Sequence, residues 1–322
     1  MESNDVKKPG SDGSWERDLL NRLAFASLNE QRRARRWGIF FKGLMFLYLF
    51  GLLLFMWPDG MGSRAGKTGQ HTALVDLKGM IADGTAASAD NIITGLRNAF
   101  ADKRTAGVIL RINSPGGSPV QSGYIYDEIK RLREEYPDIP LYAVVSDMCA
   151  SGGYYVAAAA DAIYANKASV VGSIGVLMNG FGFVDAMDKL GVERRLLTAG
   201  EHKGFLDPFS PSQPEEEAHI KGLLNDIHSQ FTSAVKEGRG DRLRDDPSLF
   251  SGLVWTGEQS VELGLVDELA SASDVARTVV GAEDIVDFTP RPHYFEKLAA
   301  SLGTAIANGL GTVLGLVPAQ MR

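Results

Sequence analysis

The chain has 322 residues, of which 44% are hydrophobic and 23% charged, so it is neither collagen-like nor wholly disordered and can build a packed core. Its single cysteine excludes an intramolecular disulfide, and its five scattered histidines argue against a structural metal site. The net charge of −7 argues against a nucleic-acid partner, because phosphate binding requires clustered lysines and arginines on the folded domain.

A basic cluster stands directly before an apolar segment near the amino terminus. Four arginines between positions 32 and 36 precede the segment 37–57, which as a helix would be about 31 Å long, close to the thickness of a bilayer core. Lys42 can snorkel near one end, and Trp37 and Trp57 stand where interface aromatics belong. We therefore predict a cytoplasmic tail over 1–36 and a transmembrane anchor over 37–57, with the rest of the chain outside.

Two other interpretations of this apolar segment are open. A cleaved signal peptide is less favoured because no A-x-A cleavage site follows the segment. A buried core helix is less favoured because the segment is too uniformly apolar to be amphipathic.

Residues 58–71 are rich in glycine, serine and lysine and are predicted to be a linker, and a folded domain is predicted over 72–290. In this domain short apolar segments alternate with segments of helical periodicity. Strands are expected at 73–77, 108–112 and 141–145. Helices are expected after the capping residue Ser88 and over 120–133, 154–160 and 215–236. The alternation predicts an α/β domain with a largely parallel sheet.

The last predicted helix of this domain has an apolar stripe, formed by Leu223, Leu224, Ile227 and Phe231. Beyond the domain, residues 291–322 are predicted to be a C-terminal helix or tail. The stretch 298–317 has no charge and places Gly311 and Gly315 four residues apart, as in packed membrane helices. Because small residues dilute its apolar ones, we favour an amphipathic or subunit-contact helix over a second span.

Two glycine-containing loops follow predicted strands, at the edge of the sheet where α/β active sites gather. In the first, 113–117, Gly116 and Gly117 allow the backbone to approach a ligand and turn N–H groups toward an oxyanion. These five residues taken alone would favour an ordinary Pro-Gly turn.

The second loop, 147–153, carries Ser151 at a predicted helix start. A serine there is usually a cap. The small neighbours Ala150, Gly152 and Gly153 would leave its hydroxyl exposed with the Gly152 N–H beside it, and the helix dipole would favour negative charge there. Ser151 is therefore a candidate nucleophile.

A serine nucleophile needs a base, and only one histidine, His202, lies in a promising loop, next to Lys203. Most lysines in such loops are solvated. A lysine serves as a general base near neutral pH only where burial against apolar side chains disfavours its charged form.

Several segments together resemble the motifs of the bacterial signal peptide peptidase A (protease IV) type of serine-lysine membrane peptidase. In chain order they are 113–117, 150–155, 171–176, 200–203, 255–257 and 264–268. The resemblance covers about residues 72–270, and each motif is present once, as in the short, single-module form.

The resemblance implies a Clp-protease and crotonase type of fold, a spiral of strand-strand-helix units. It implies Ser151 as the nucleophile, Lys203 as the general base and Ser173 as the auxiliary serine that orients the lysine amine. It also implies oxyanion donors from Gly152 and one of Gly116 and Gly117, of which we favour Gly117.

The implied function is endoproteolysis of residual signal peptides and other apolar peptides, without a metal or cofactor. The implied partners are these peptides, the lipid bilayer and further copies of the chain. Members of the short form assemble into a ring, expected to be octameric, in which a neighbouring subunit can supply the lysine. The implied location is the bacterial inner membrane, with the catalytic domain on its outer face.

Three alternatives stay open at this point. His202 raises the possibility of a Ser-His-Asp triad, as in Clp-type proteases, but no suitable acid spacing is visible. The same type of fold also supports a crotonase-like acyl-CoA enzyme, which an external location without CoA disfavours. A catalytically silent membrane scaffold is the third.

Overall fold

The computed structural model describes residues 14–55 and 69–290, which belong to two separate units. The first contains one helix, α1 (Ser14–Phe55), on which the rings of Trp37, Phe40 and Phe41 contact one another. Among the helices of these described residues, we find none with a stretch long and apolar enough to cross a bilayer. The transmembrane anchor over 37–57 therefore stays a prediction, and its end at Trp57 lies outside the described residues.

The described residues of the second unit, 69–290, form eight strands and seven further helices. The strands are β1 (His71–Lys78), β2 (Thr105–Ser114), β3 (Leu141–Ala150), β4 (Ala162–Ala165), β5 (Val170–Gly172), β6 (Val254–Thr256), β7 (Glu268–Leu269) and β8 (Ile285–Asp287). The helices are α2 (Ala89–Ala101), α3 (Pro119–Glu135), α4 (Gly152–Ala157), α5 (Val184–Leu190), α6 (Pro214–Arg239), α7 (Gly257–Glu262) and α8 (Ala272–Asp274), which continues as a π-helical turn (Val275–Val280). Two 3₁₀ turns lie at Gly240–Arg242 and Pro247–Phe250.

The strands form one mixed sheet in the order β6-β5-β3-β2-β1-β8. All strand pairs are parallel except β5 with β6. β1 and β2 are buried along nearly their whole length, which is why they appear in the sequence as mostly apolar segments, interrupted only by the paired Asp76 and Arg111. The predicted α/β class with a largely parallel sheet is confirmed.

The long strand β3 changes partner along its length. Its first half pairs with β4, and its last three residues pair with β5. β4 in turn pairs with β7, off the main path of the sheet. This change of partner fits the expected Clp- and crotonase-like arrangement, because it turns the sheet at the point where β3 ends.

Most predicted elements are present, with shifted ends. β1 begins at His71, one residue inside the stretch predicted as linker, because this histidine is buried and stacks on Phe288. Ser88 occupies the N-cap position of α2 without a side-chain cap bond. α4 begins at Gly152 rather than Tyr154. The predicted C-terminal helix of 291–322 lies outside the described residues.

The apolar stripe predicted for α6 is only partly buried. Phe231 is in the core with Ala234 and Val235, whereas Leu223 is exposed. The burial of this helix therefore varies along its length: Ile220 and Phe231 are buried, whereas Leu223 between them is not.

The segment 174–213 contains little regular structure besides α5 and leaves many apolar side chains exposed. These are Leu177, Met178, Phe181, Phe183, Leu190, Val192, Leu196, Leu197, Phe205, Leu206 and Phe209. Exposed apolar surface on this scale is typical of an interaction site. We call this segment the arm.

Candidate active site

Ser151 lies in the turn between β3 and α4, at the carboxyl edge of the sheet. Its backbone has φ 52° and ψ −124°, a conformation that non-glycine residues rarely adopt and that costs about 1–3 kcal/mol. Its N–H donates to the Gly172 carbonyl oxygen at 2.8 Å, which holds the turn against β5. This hydrogen bond therefore holds the strained Ser151 backbone at the point where β3, β5 and α4 meet.

Ser173 is brought next to this turn by the pairing of β3 with β5. Ala150 and Gly172 are partners in that ladder, so the residues that follow them, Ser151 and Ser173, are neighbours at the edge of the sheet. Ser173 also has a positive φ of 52°. Its N–H donates to Leu253 O at 2.6 Å, which holds this second turn in place.

The loop after β2 packs directly against the Ser151 turn. A Cβ on Gly116 would lie 2.7 Å from the Ser151 Cβ and 2.7 Å from the Gly152 nitrogen, so only glycine fits there. The Gly116 N–H is occupied by the Ser114 hydroxyl, at 3.1 Å. Of the two predicted glycine donors, Gly116 is therefore not free to bind an oxyanion.

The orientation of the next N–H, that of Gly117, is set by Ile81. The Ile81 N–H donates to Gly116 O at 2.8 Å, and the Ser118 N–H donates to Ile81 O at 2.7 Å. Because the C=O and N–H of a trans peptide point in opposite directions, the Gly117 N–H faces away from Ile81. The Gly117 nitrogen itself lies close to Gly152, 3.3 Å from the place of a Cβ on that residue.

Within residues 69–290, the N–H groups of Gly117 and Gly152 donate no hydrogen bond. Both belong to residues that line the same cleft as Ser151. Gly152 is packed so closely on the buried Ser122 that a Cβ would lie 2.4 Å from its Oγ. Two N–H groups without partners beside a hydroxyl are what the stabilisation of a tetrahedral oxyanion requires.

The cleft has a volume of about 880 Å³ and is lined by residues of α3 and α6 together with Ser151 and Ser173. Its walls are mostly apolar, formed by Val120, Tyr124, Tyr155, Val176, Leu177, Ile227 and Phe231. Burial raises the pKa of Tyr155, and the carboxylates of Asp127 and Glu237 raise it further. The cleft is thus suited to an extended chain with apolar side chains.

The structure does not bring Lys203 to Ser151 within one chain. Lys203 is an exposed residue in a turn of the arm and is not among the residues that line the cleft. His202, next to it, is also exposed and lies outside the cleft. Within residues 69–290, the cleft therefore contains the predicted nucleophile and the two candidate oxyanion donors but not Lys203, and Lys203 as the base stays a prediction.

Sequence reasoning did not assign a role to three residues of the site: Ile81, Ser114 and Ser122. Ser114 is fully buried, donates to Gly79 O at 2.6 Å and accepts from the Gly116 N–H, so it ties β1 to the glycine loop. The position of Ser114 within the 113–117 motif is the one available signal. Ile81 acts through its backbone alone, which no residue type reveals.

The last two motifs, 255–257 and 264–268, have structural roles in the packing behind the site. The Trp255 ring lies against Gly172, where a Cβ would be 2.7 Å from it, and so supports the turn that carries Ser173. The carboxylate of Asp267 accepts hydrogen bonds from the buried Arg239 at 2.7 and 2.9 Å and from the Ile163 N–H at 2.7 Å. Burial opposes ionisation of Asp267, but these hydrogen bonds outweigh it and lower its pKa.

A family model described as "Peptidase family S49" matches residues 134–285, which include Ser151, Ser173 and Lys203. A Synechocystis protein named "Putative protease slr0021" is 32% identical over 231 residues, covering 71% of this chain and 79% of that protein. An Enterococcus faecium protein named "Putative signal peptide peptidase SppA" is 32% identical over 199 residues, covering 62% of this chain and 57% of that protein.

A Brucella abortus protein named "Na(+)/H(+) antiporter NhaA" is 47% identical over 186 residues, covering 58% of this chain. The chain spans only 25% of the length of that protein. The antiporter name is therefore that protein's and is not transferred to this chain.

Proposed function

Because this chain belongs to peptidase family S49, in which relatives are named signal peptide peptidase SppA and protease 4, we propose that it is a serine endopeptidase with a Ser151–Lys203 dyad. The observation that carries the serine assignment is the strained Ser151 beside the two N–H groups, of Gly117 and Gly152, that have no partner in residues 69–290.

In the proposed reaction, the neutral Lys203 amine takes the proton of the Ser151 hydroxyl as Oγ attacks a peptide carbonyl carbon. The carbonyl oxygen becomes an oxyanion held by the N–H groups of Gly117 and Gly152, each worth about 2.7–4 kcal/mol of barrier. The C–N bond then breaks, and the lysine ammonium gives its proton to the leaving amine. An ester between Ser151 and the acyl half of the substrate remains.

Water completes the cycle. The Lys203 amine takes a proton from water as its oxygen attacks the ester carbon, and the proton returns to Ser151 Oγ as the ester bond breaks. Ser173, next to Ser151, is proposed to accept or donate a hydrogen bond that orients the lysine amine. No step requires a metal or a cofactor.

We propose that Lys203 acts across an interface between copies of the chain. Two observations support this: Lys203 does not line the cleft of its own chain, and it lies on the arm, whose apolar side chains are exposed. Association would cover the arm and remove water from the lysine, which favours its neutral form. A closed ring, octameric by resemblance to the short family members, is the proposed assembly.

The proposed substrates are residual signal peptides and other apolar peptides, in keeping with the apolar walls of the cleft. The proposed location is the bacterial inner membrane, with one anchor near 37–57, the amino terminus in the cytoplasm and the peptidase unit on the outer face. Its support is the order of the sequence, a basic cluster followed by an apolar segment.

An experiment that mixes the variants S151A and K203A tests the nucleophile, the base and the interface together. We expect S151A and K203A each to abolish cleavage of an apolar fluorogenic peptide while their particle size stays unchanged. When the two inactive variants are dissociated and reassembled together, some interfaces join an intact Ser151 to an intact Lys203. Recovered cleavage would support the shared site, and an inactive mixture would restrict the dyad to one chain.

A serine-directed fluorophosphonate gives the independent control. We expect its adduct to be mapped by mass spectrometry to Ser151 in the wild type and to be absent in S151A. Near wild-type turnover by S151A would overturn the serine assignment, and an unlabelled, inactive wild type would leave only a silent scaffold.

A further inference from the structure

One carboxylate, that of Asp127, stands in the otherwise uncharged lining of the cleft. Its helix, α3, starts at Pro119, directly after the glycine loop of the oxyanion site. Val120, Gly123, Tyr124 and Asp127 follow one another at spacings of three, one and three residues, so they form one stripe of α3 along the cleft. Asp127 therefore lies about 10 Å along the helix from Val120 and away from the oxyanion site.

The walls between Ser151 and Asp127 are apolar and well supported. The Tyr155 ring packs against Phe231, with ring centroids 5.0 Å apart, and against Tyr126, at 5.3 Å. Phe231 is buried, and Ile227 on the preceding turn of α6 continues its face. A side chain that enters the cleft from the Ser151 end passes apolar groups before it meets the carboxylate.

Within residues 69–290, Asp127 has neither an ion pair nor a hydrogen bond from a side chain. The two cations one turn further along α3 are engaged elsewhere: Lys130 pairs with Glu237, and Arg131 pairs with Glu128 and Glu135. No other side chain in the lining is charged. The cleft therefore holds one negative charge with no positive partner.

We infer that this cleft binds a lysine or arginine side chain of the peptide substrate, with its methylene groups against Val120, Tyr124 and Phe231 and its cation on Asp127. The inference rests on the proposed peptidase function and adds to its apolar substrates a preference for one basic residue. Lysine and arginine combine an apolar stem with a charged head, which is the order of groups that the cleft presents. A carboxylate at the end of a substrate pocket selects such side chains elsewhere among serine peptidases.

Matched peptides test the preference. In one peptide series, the residue that supplies the attacked carbonyl is arginine, norleucine or glutamate. A second series varies the residue two positions before it, because alternate residues of an extended chain face the same side. Wild type, D127N, D127K and the control E134Q are compared, since Glu134 is an exposed carboxylate seven residues further along α3 and outside the cleft.

In one of the two series, we expect the wild type to have a higher kcat/KM for the arginine peptide than for the norleucine peptide. The ratio of kcat/KM for the arginine peptide to that for the norleucine peptide should fall at least about tenfold in D127N and stay unchanged in E134Q. D127K should instead prefer the glutamate peptide. Equal effects of D127N on all peptides, or no effect in either series, would overturn the inference.

A binding measurement separates this inference from the proposed function. S151A and the double variant S151A/D127N are titrated calorimetrically with the same arginine and norleucine peptides, so no cleavage is needed. Weaker binding of the arginine peptide by the double variant alone supports the role of Asp127 even if the wild type cleaves nothing. Equal binding by both variants overturns it, even if the wild type cleaves apolar peptides and its Ser151 is labelled.

Discussion

The backbone N–H of Ile81 donates a hydrogen bond to the Gly116 carbonyl oxygen at 2.8 Å, and this bond sets the direction of the Gly116–Gly117 peptide. If the peptide turned over, the Gly117 N–H would point at Ile81 and a carbonyl oxygen would face Gly152. An oxyanion would then meet a negative dipole instead of a donor. The backbone of the segment after β1 thus orients the proposed oxyanion donor Gly117.

Gly117→Ala is expected to lower kcat by about 10²–10³-fold, the loss typical of one oxyanion donor. A Cβ at this position would lie 2.1 Å from Ile81 O, so the loop must move away from Ile81 and lose its orientation. Steady-state kinetics with the apolar fluorogenic peptide measure the effect. The control is Gly222→Ala, on the exposed face of α6 with no atom within 4 Å of the new Cβ, which should leave kcat unchanged. Wild-type kcat in Gly117→Ala would show that the loop is not part of the site.

Ser114→Ala is expected to lower kcat with little change in KM. The hydroxyl joins Gly79 O to the Gly116 N–H, and without it the glycine loop keeps its residues but loses one of the bonds that hold its geometry. Ser114 is a positioning residue, so the split between kcat and KM separates this role from a general loss of folded protein. The control is Ser212→Ala, an exposed residue before α6. A change in KM alone would contradict the role.

Asp267→Ala is expected to destabilise the peptidase unit by about 3 kcal/mol, because it leaves the Arg239 guanidinium buried without its carboxylate. Arg239 is only 1% exposed, and it reaches Asp267 through two nitrogens. Urea unfolding measures the change. The double variant R239M/D267L should lose less than the sum of the single variants, since it leaves no unpaired charge.

Lys221→Ala is the control for that pair. Its ion pair with Glu217 spans 3.8 Å on an exposed helix face, and its removal should change the free energy of unfolding by less than about 0.5 kcal/mol. Equal losses at Lys221 and Asp267 would refute a special role for the buried pair.

Acid is expected to lower the stability of the fold by protonating Glu128. Hydrogen bonds from Arg131 and then Arg97 lower the pKa of Glu128 from 4.5 to about 2. A lowered pKa in the folded state means that the stabilisation is complete above about pH 4.5 and is lost as the pH falls toward 2. The difference in melting temperature between wild type and Glu128→Gln should therefore be largest above pH 5 and shrink toward pH 2. A difference independent of pH would show that the charge of Glu128 does not stabilise the fold.

The local patterns of the sequence were sufficient for strands β1 to β3, for helices α2, α3, α4 and α6, and for the position of Ser151 between β3 and α4. Short, mostly apolar segments such as 108–112 are typical of strands inside a parallel sheet, and a glycine-rich loop at the end of such a strand needs no distant contact to be recognised. The exposure of Leu223 in the apolar stripe of α6 could not be read from the sequence, because periodicity shows which residues share a face and not what covers that face.

Only the tertiary structure showed which residues orient the oxyanion donors and which charge stands in the cleft. Ile81 and Gly116 are far apart in the chain and are joined by a hydrogen bond between backbone atoms. Because every residue has such atoms, the residue types could not predict this bond. Asp127 is an exposed helix carboxylate, and only the packing of α6 across from it shows that it lines the cleft while the nearby cations are paired elsewhere. Short-range patterns follow from the periodicity of helices and strands. The direction of a backbone N–H group and the pairing of a charged side chain are set only when distant segments pack together.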